Sequence, residues 1–166
     1  MYFEDLSPYR YGTYYGRDRI IPINEVLNVG WLEDGHDYPK GEVDKDTLQK
    51  LKHLLILYPN ANIHHKGFHL CDFCDYADDN LPTITLDQKT IRLGSRVLWL
   101  PSPESTNLTY ACPNLIYHYI VDHNYQPPDK FLEAVELAKI DPDWDVYKFQ
   151  RALIEKERDR IRREEQ

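Results

Sequence analysis

The chain has 166 residues and a formal net charge of −8 at pH 7, with 42% hydrophobic and 29% charged residues. This length is typical of one globular domain, and the composition excludes an intrinsically disordered protein. The negative charge disfavours binding to nucleic acid or to an anionic membrane surface, and it favours a basic protein as the partner.

The sequence does not show the pattern of a targeting signal. No apolar run reaches eighteen residues, and the first residues lack the basic start and the apolar stretch of a signal peptide. We therefore expect a cytoplasmic protein that does not cross a membrane. In a reducing compartment, metal binding or simple burial explains three cysteines better than a disulfide framework does.

The first part of the chain is predicted to combine extended segments with one helix. Residues 2–23 are rich in Tyr, Gly and Pro without a helical period, so we interpret them as short strands or extended chain. Residues 26–32 are predicted to form a strand. Asp46 followed by Gln49 resembles a capping pair, and leucines at helical spacing then predict a helix over residues 45–57.

The middle of the chain is typical of a β-meander. Residues 83–86 and 90–93 are rich in β-branched side chains and flank a short polar turn, which predicts a hairpin. Residues 96–100 are expected to extend this hairpin, and residues 108–111 are expected to close the meander.

The last part of the chain is predicted to be helical. Pro113 fits the first turn of a helix over residues 113–124, and Pro127-Pro128 with Asp129 as cap opens another. Asp141-Pro142 is expected to end that helix and to start the last one.

The final helix has few apolar positions. Tyr147, Ile154 and Ile161 recur every seven residues, and acids and bases three residues apart form opposite-charge pairs such as Glu157–Arg160. Its beginning should therefore pack, and its end should be solvated. We predict an α+β fold, in which a small antiparallel sheet with hairpins packs against about four helices. Residues 1–140 are expected to form the globular domain, and residues 141–166 a charged helical extension.

The most specific feature is the segment 69–74, His-Leu-Cys-Asp-Phe-Cys, which we call the knuckle. Two thiolates at i and i+3 can bind one ion from a tight turn, and structural zinc takes its remaining ligands from Cys or His elsewhere. Cys71 and Cys74 have this spacing, so we predict that they form half of a Zn²⁺ site. The alternative interpretation is that both thiols are buried beside Phe73 as small apolar groups.

Several residues compete for the other half of the site. They are His69, His118, His123, His64, His65 and Cys112. At 100° per residue, His118 and His123 lie about 140° apart around the axis of the predicted helix. We therefore expect both to bind one ion only if the helix unwinds before Asn124.

No catalytic constellation is complete in the sequence. Four acids surround the cysteines: Asp72, Asp75, Asp78 and Asp79. Such a group is compatible with a hard-cation site or an acid–base pair, although clustered Asp in a loop is usually turn chemistry. The serines lack the context of a nucleophile elbow, and Gly94-Ser95 lacks the pattern of a phosphate loop.

Four segments together resemble a family of small bacterial proteins with no established activity. They are residues 3–9, residues 27–32 followed by His36, Pro39 and Gly41, residues 67–74, and residues 113–120 followed by His123, Tyr125, Pro127 and Pro128. The resemblance covers residues 1 to about 136. It implies that the knuckle and both helix histidines are family features. It also implies a small residue at position 112, which argues against Cys112 as a ligand.

Two functional hypotheses follow. The first is a non-enzymatic module that binds another bacterial protein and is stabilised by structural zinc, such as an immunity-type protein or an accessory subunit of a defence system. This module is expected to bind no nucleic acid, no membrane and no small-molecule substrate. The alternative is a metal-dependent hydrolase, in which Cys71, Cys74 and one histidine leave an open position for an activated water.

Overall fold

A computed structural model describes residues 1–15, 19–75 and 81–166 of the chain. Asp78 and Asp79, which belong to the acidic group considered above, lie outside the described residues. The strands are β1 (Pro8–Tyr9), β2 (Tyr14–Tyr15), β3 (Arg19–Ile20), β4 (Ile23–Asn28), β5 (Asn62–His64), β6 (Thr83–Leu86), β7 (Lys89–Arg92), β8 (Arg96–Pro101) and β9 (Thr109–Pro113). The helices are α1 (Lys45–Leu57), α2 (Ile116–His123), α3 (Asp129–Glu136) and α4 (Val146–Glu164), and Pro59–Ala61 forms a 3₁₀ turn.

The main sheet has five strands in the order β1-β4-β9-β8-β5. The pair of β4 and β9 is parallel, and the other pairs are antiparallel. The predicted α+β class is therefore confirmed, with a mixed sheet instead of a purely antiparallel one. Two separate two-stranded sheets, one of β2 with β3 and one of β6 with β7, complete the described strands.

The predicted hairpin is confirmed, but its expected extension into a meander is wrong. Strands β6 and β7 pair with Ile84 opposite Ile91, and Asp87 takes a left-handed conformation at the turn. Strand β8 instead lies between β9 and β5 in the main sheet. Its residues 97–100 are all buried, which is the pattern of a central strand covered on both faces.

Helix α1 has the predicted bounds, but its cap differs from the prediction. The Asp44 carboxylate accepts a hydrogen bond from the backbone N–H of Thr47 at 2.9 Å, so Asp44 and not Asp46 caps the helix. Helix α3 also differs, because Pro128 occupies the cap position and Asp129 is the first helical residue. Pro113, predicted as a helix start, ends strand β9 opposite Val97.

Helices cover both faces of the main sheet. One core lies between the sheet and α1, α2 and α3, and the β6–β7 hairpin joins it. The other core contains Tyr9, Trp31 and Trp99, and α4 covers it. Among the described residues, no helix is both long enough and apolar enough to cross a bilayer.

Helix α4 packs at its beginning, as predicted. It begins at Val146 after the cap Asp145 instead of at the Asp-Pro step. Val146 is fully buried, whereas most of the last two turns is exposed, with Ile161 an exception. The predicted pairs three residues apart are present, including Arg160 with the buried Glu157 at 2.8 Å.

Candidate metal centre

Two cysteines and two histidines converge on one point. The Nε2 atom of His123 lies 3.3 Å from the Sγ of Cys71, 3.2 Å from the Sγ of Cys74 and 3.2 Å from the Nε2 of His118. The Nε2 of His118 is 3.3 Å from the Sγ of Cys74. All four donor atoms lie within 4.8 Å of one another, so the cluster can hold a metal ion.

The cysteines lie in the loop between β5 and β6. The backbone N–H of Cys74 donates to the carbonyl of Cys71, which closes a tight turn and brings both thiols to one side. The loop is anchored to the chain before β8, because the N–H of His69 donates to the carbonyl of Gly94 at 2.7 Å. A Cβ on Gly94 would lie 2.3 Å from the His69 carbonyl oxygen, so only glycine permits this approach.

The histidines reach the same point without any unwinding of α2. The helix is regular through His123 and ends at Asn124, which is left-handed with φ 52°. Each Cα–Cβ bond in a helix points toward the N-terminus, so the His123 side chain leans back toward the turn that carries His118. The expectation that the two histidines need an unwound helix to act together is therefore wrong.

Asp122 orients one of the ligands. Its carboxylate lies 2.6 Å from the Nδ1 of His118 and accepts the Nδ1–H hydrogen bond. The proton is thereby placed on Nδ1, and the lone pair of Nε2 faces the cluster. Carboxylates hold metal-binding histidines in this way in many proteins. Asp122 was not among the predicted site residues, although the i,i+4 spacing of His118 and Asp122 on one helix is the sequence signal for this contact.

Four of the six donor separations are close to those of a tetrahedral zinc ion. Bond lengths for zinc place two nitrogens about 3.4 Å apart and a nitrogen and a sulfur about 3.6 Å apart. The observed separations, 3.2 Å and 3.2 to 3.3 Å, are close to these values. A single Nε2 of His123 has one bonding direction, so it cannot make three separate hydrogen bonds, whereas one cation at the centre satisfies all four donors.

Aromatic rings shield the cluster on one side. Phe73 packs against the ring of His123 with centroids 5.3 Å apart, and Tyr38 donates a hydrogen bond to the His123 carbonyl at 3.3 Å. Burial lowers the pKa of His123, and the neighbouring His118 lowers it further. The imidazole is therefore kept neutral and able to bind an ion. Cys71 and His118 are buried, whereas Cys74 and His123 are half-buried.

The other ligand candidates lie elsewhere. His69 is outside the cluster of four, and it is one of the residues that line a separate cavity beside the sheet. Cys112 is fully buried in the core on β9, where burial raises the pKa of its thiol. His64 is exposed at the sheet edge, and His65 is half-buried next to Tyr11.

One comparison with known proteins gives a match, and that match covers the region that holds this cluster. Searches among curated proteins and among solved structures find no match to the chain. The profile of a domain of unknown function, DUF7919, matches residues 1–136, which include the knuckle and α2 and end before α4. The chain therefore belongs to the DUF7919 family.

Proposed function

We propose that the cluster is a structural zinc site and that the protein is a non-enzymatic module for binding another protein. The observation that carries this proposal is the number of donors. Cys71, Cys74, His118 and His123 fill a tetrahedral coordination sphere with protein atoms alone. Structural zinc sites are closed in this way, whereas catalytic sites keep one position for water. Paired thiolates and imidazoles also favour zinc over hard cations.

Zinc at this position would act as a cross-link. Bound to all four donors, it joins the loop after β5 to the C-terminal end of α2, about fifty residues away along the chain. The knuckle contains no helix or strand of its own. A metal that binds only the folded arrangement adds its binding free energy to folding, so the conformation of this loop would depend on the ion.

The surface beside the knuckle supports a protein-binding role. Phe68 and Leu70 flank His69 and are each 48% exposed, so the loop presents two large apolar side chains to solvent. Exposed apolar side chains that lie close together often mark sites of protein interaction. The net charge of −8 favours a basic partner. An immunity-type or defence-accessory role in a bacterium would be one form of such a module.

The zinc part of the proposal is tested by elemental analysis and chelation. We expect about one zinc ion per chain after purification without added metal. A strong chelator should lower the melting temperature, and added zinc should restore it. Metal-free protein with an unchanged melting temperature would exclude the structural role.

The interaction part is tested with tagged protein in its native host. Leu70→Ser should abolish capture of the partner while zinc content stays the same. Leu137→Ser is the matched control, because Leu137 is 55% exposed at the end of α3, outside the knuckle. Equal capture by wild type and Leu70→Ser would show that the knuckle surface is not the interface.

One observation favours the alternative hydrolase. A groove of about 570 Å³ borders Cys74, His118 and His123, and Asp122 also lines it. If one donor were replaced by water, this groove would be the substrate site, with Asp122 as a carboxylate in its lining. X-ray absorption spectroscopy of the zinc-loaded protein distinguishes the two functions. Four sulfur and nitrogen ligands indicate a structural zinc site, whereas three such ligands with one oxygen ligand indicate a hydrolytic site.

A further inference from the structure

A second cavity lies on the other side of the knuckle, away from the metal cluster. It has a volume of about 140 Å³ and lies between residues 65–69 and residues 94–97. Two backbone hydrogen bonds fix the two segments to each other, from His65 N–H to the Ser95 carbonyl and from His69 N–H to the Gly94 carbonyl. Residues 66–68 form an arch between these two anchors. The cavity walls are thus fixed by backbone contacts.

The lining of this cavity is basic, although the protein is acidic. Lys66, Arg96, His65 and His69 line it, and no Asp or Glu does among the described residues. The whole chain has 28 acidic and 20 basic residues, so a lining without acids is contrary to its overall charge. In the described part of the chain, neither Lys66 nor Arg96 forms an ion pair. Two cationic side chains are therefore left for an external anion.

Hydrogen-bond donors at the cavity also lack partners. The Nε2 atom of His65 is buried and has no hydrogen-bond partner among the described residues. The backbone N–H groups of residues 66–68 likewise meet no acceptor in the part of the chain that the structure describes. Buried polar atoms are almost always bonded, so a group bound in the cavity would supply the partner that the His65 nitrogen lacks.

One wall of the cavity is aromatic. The ring of Tyr11 lies 4.7 Å from that of His65 and 5.2 Å from that of Trp31. The volume has room for one oxyanion group, and the half-exposed Phe68 is among the lining residues.

From these contacts we propose that this cavity binds a phosphate group, either as the free ion or as a monoester of a small molecule. Lys66 and Arg96 neutralise its charge, and the amide groups of the arch and the His65 nitrogen bond its oxygens. This site goes beyond the proposed function, which involves no small ligand. It also does not depend on zinc chemistry.

The test is a titration of the full-length, zinc-loaded protein followed by amide chemical shifts in NMR spectra. The probes are inorganic phosphate and phenyl phosphate at constant ionic strength, with sodium chloride as the control. Saturable shifts of the Gly67, Phe68 and Ser95 amides support the site. Tighter binding of phenyl phosphate assigns the site to a phosphate monoester, and equal binding assigns it to the free ion. No saturable shift with either probe overturns the proposal.

Charge-removing variants complete the test. Lys66→Met should weaken binding about tenfold, because a charge-assisted hydrogen bond to the ligand is lost. Lys66 is exposed, so the substitution should leave the fold and the zinc content unchanged. Lys130→Met on α3 is the matched control and should bind as the wild type does. Equal affinity of Lys66→Met and wild type would overturn the proposal even if the wild type binds phosphate.

Discussion

The Nε2 atoms of His118 and His123 lie 3.2 Å apart, although the two residues are five positions apart on a regular helix. Their separation around the helix axis is compensated because His123 is the last helical residue and its side chain leans toward the N-terminus. The two imidazoles therefore meet Cys71 and Cys74 at a single point. The end of α2 thus sets the geometry of the centre.

Removal of one thiol should weaken metal binding. Cys74→Ser leaves three strong donors, so we expect purified protein with less than half of the wild-type zinc and a lower melting temperature. Cys112→Ala is the matched control, because Cys112 lies in the core outside the cluster. Elemental analysis of both variants provides the measurement. Full zinc content in Cys74→Ser would contradict the assignment.

His118 and His69 should differ in the same assay. His118→Ala should lose zinc, since the structure places its Nε2 among the donors. His69→Ala should retain one zinc per chain, since His69 lies outside the cluster. If His69→Ala lost the metal and His118→Ala retained it, the ligand set would be wrong.

Asp122 should tune the affinity of the site. In Asp122→Asn the carboxylate that holds the Nδ1 proton of His118 is replaced, so zinc affinity should fall by about 10- to 100-fold. Competition with a chromophoric chelator measures this affinity. The exposed loop residue Asp34 offers a control, and Asp34→Asn has the same charge change without a contact to the site. Identical affinities of the two variants would show that Asp122 has no role in orienting His118.

The close approach of the His69 carbonyl to the chain before β8 should depend on Gly94. Gly94→Ala should lower the free energy of unfolding by about 2 to 4 kcal/mol, because the new Cβ meets the His69 carbonyl and the backbone is left-handed. Gly35→Ala has a similar positive φ but open space, so we expect a loss of only about 1 kcal/mol. Urea unfolding of both variants separates the steric effect from the backbone effect. A Gly94→Ala variant as stable as Gly35→Ala would refute the close approach.

A half-buried carboxyl group should make the free energy of unfolding depend on pH. Asp5 accepts hydrogen bonds from the Tyr125 hydroxyl at 2.7 Å and from the Gly30 N–H at 2.8 Å, yet its burial dominates and raises its pKa. A raised pKa in the folded state means that folding favours the protonated form. The contribution of Asp5 is therefore fully present below its unfolded pKa of about 4 and is lost as pH rises through its folded pKa.

The measurement is the difference in unfolding free energy between wild type and Asp5→Asn at several pH values. This difference should become less favourable to the wild type as pH rises, and metal release at low pH affects both proteins equally. Asp34→Asn, at an exposed position, is the control for the loss of one acidic side chain. A slope of the opposite sign would mean that the two hydrogen bonds outweigh burial.

Helix α4 should contribute to stability even though it lies beyond the matched family region. The ring of Phe149 lies edge-on to Trp99, with the ring centroids 6.2 Å apart. It is tilted against Trp144, with the centroids 5.6 Å apart. Phe149→Ala should therefore cost about 2 to 4 kcal/mol of unfolding free energy. Phe68→Ala removes the same ring from an exposed position and should change stability by less than about 0.5 kcal/mol. Equal effects in thermal unfolding would show that α4 does not stabilise the sheet.

Local patterns in the sequence predicted several features correctly. The bounds of α1, the β6–β7 hairpin and the ion pairs of α4 depend on residues within a few positions of one another, so spacing alone reveals them. The pairing of Cys71 with Cys74 has the same local origin, because one tight turn brings both thiols together.

Tertiary structure decided the features that join distant segments. Strand β8 fits the hairpin by its local pattern, but it is paired on both sides in the main sheet because a strand with two buried faces needs two neighbours. The histidines were candidates in the sequence, but only the packing of the knuckle against the end of α2 selects His118 and His123 and excludes His69 from the cluster. The sequence by itself determined which residue types are present to bind a metal. The fold determined which of them meet, because donor convergence depends on contacts about fifty residues apart along the chain.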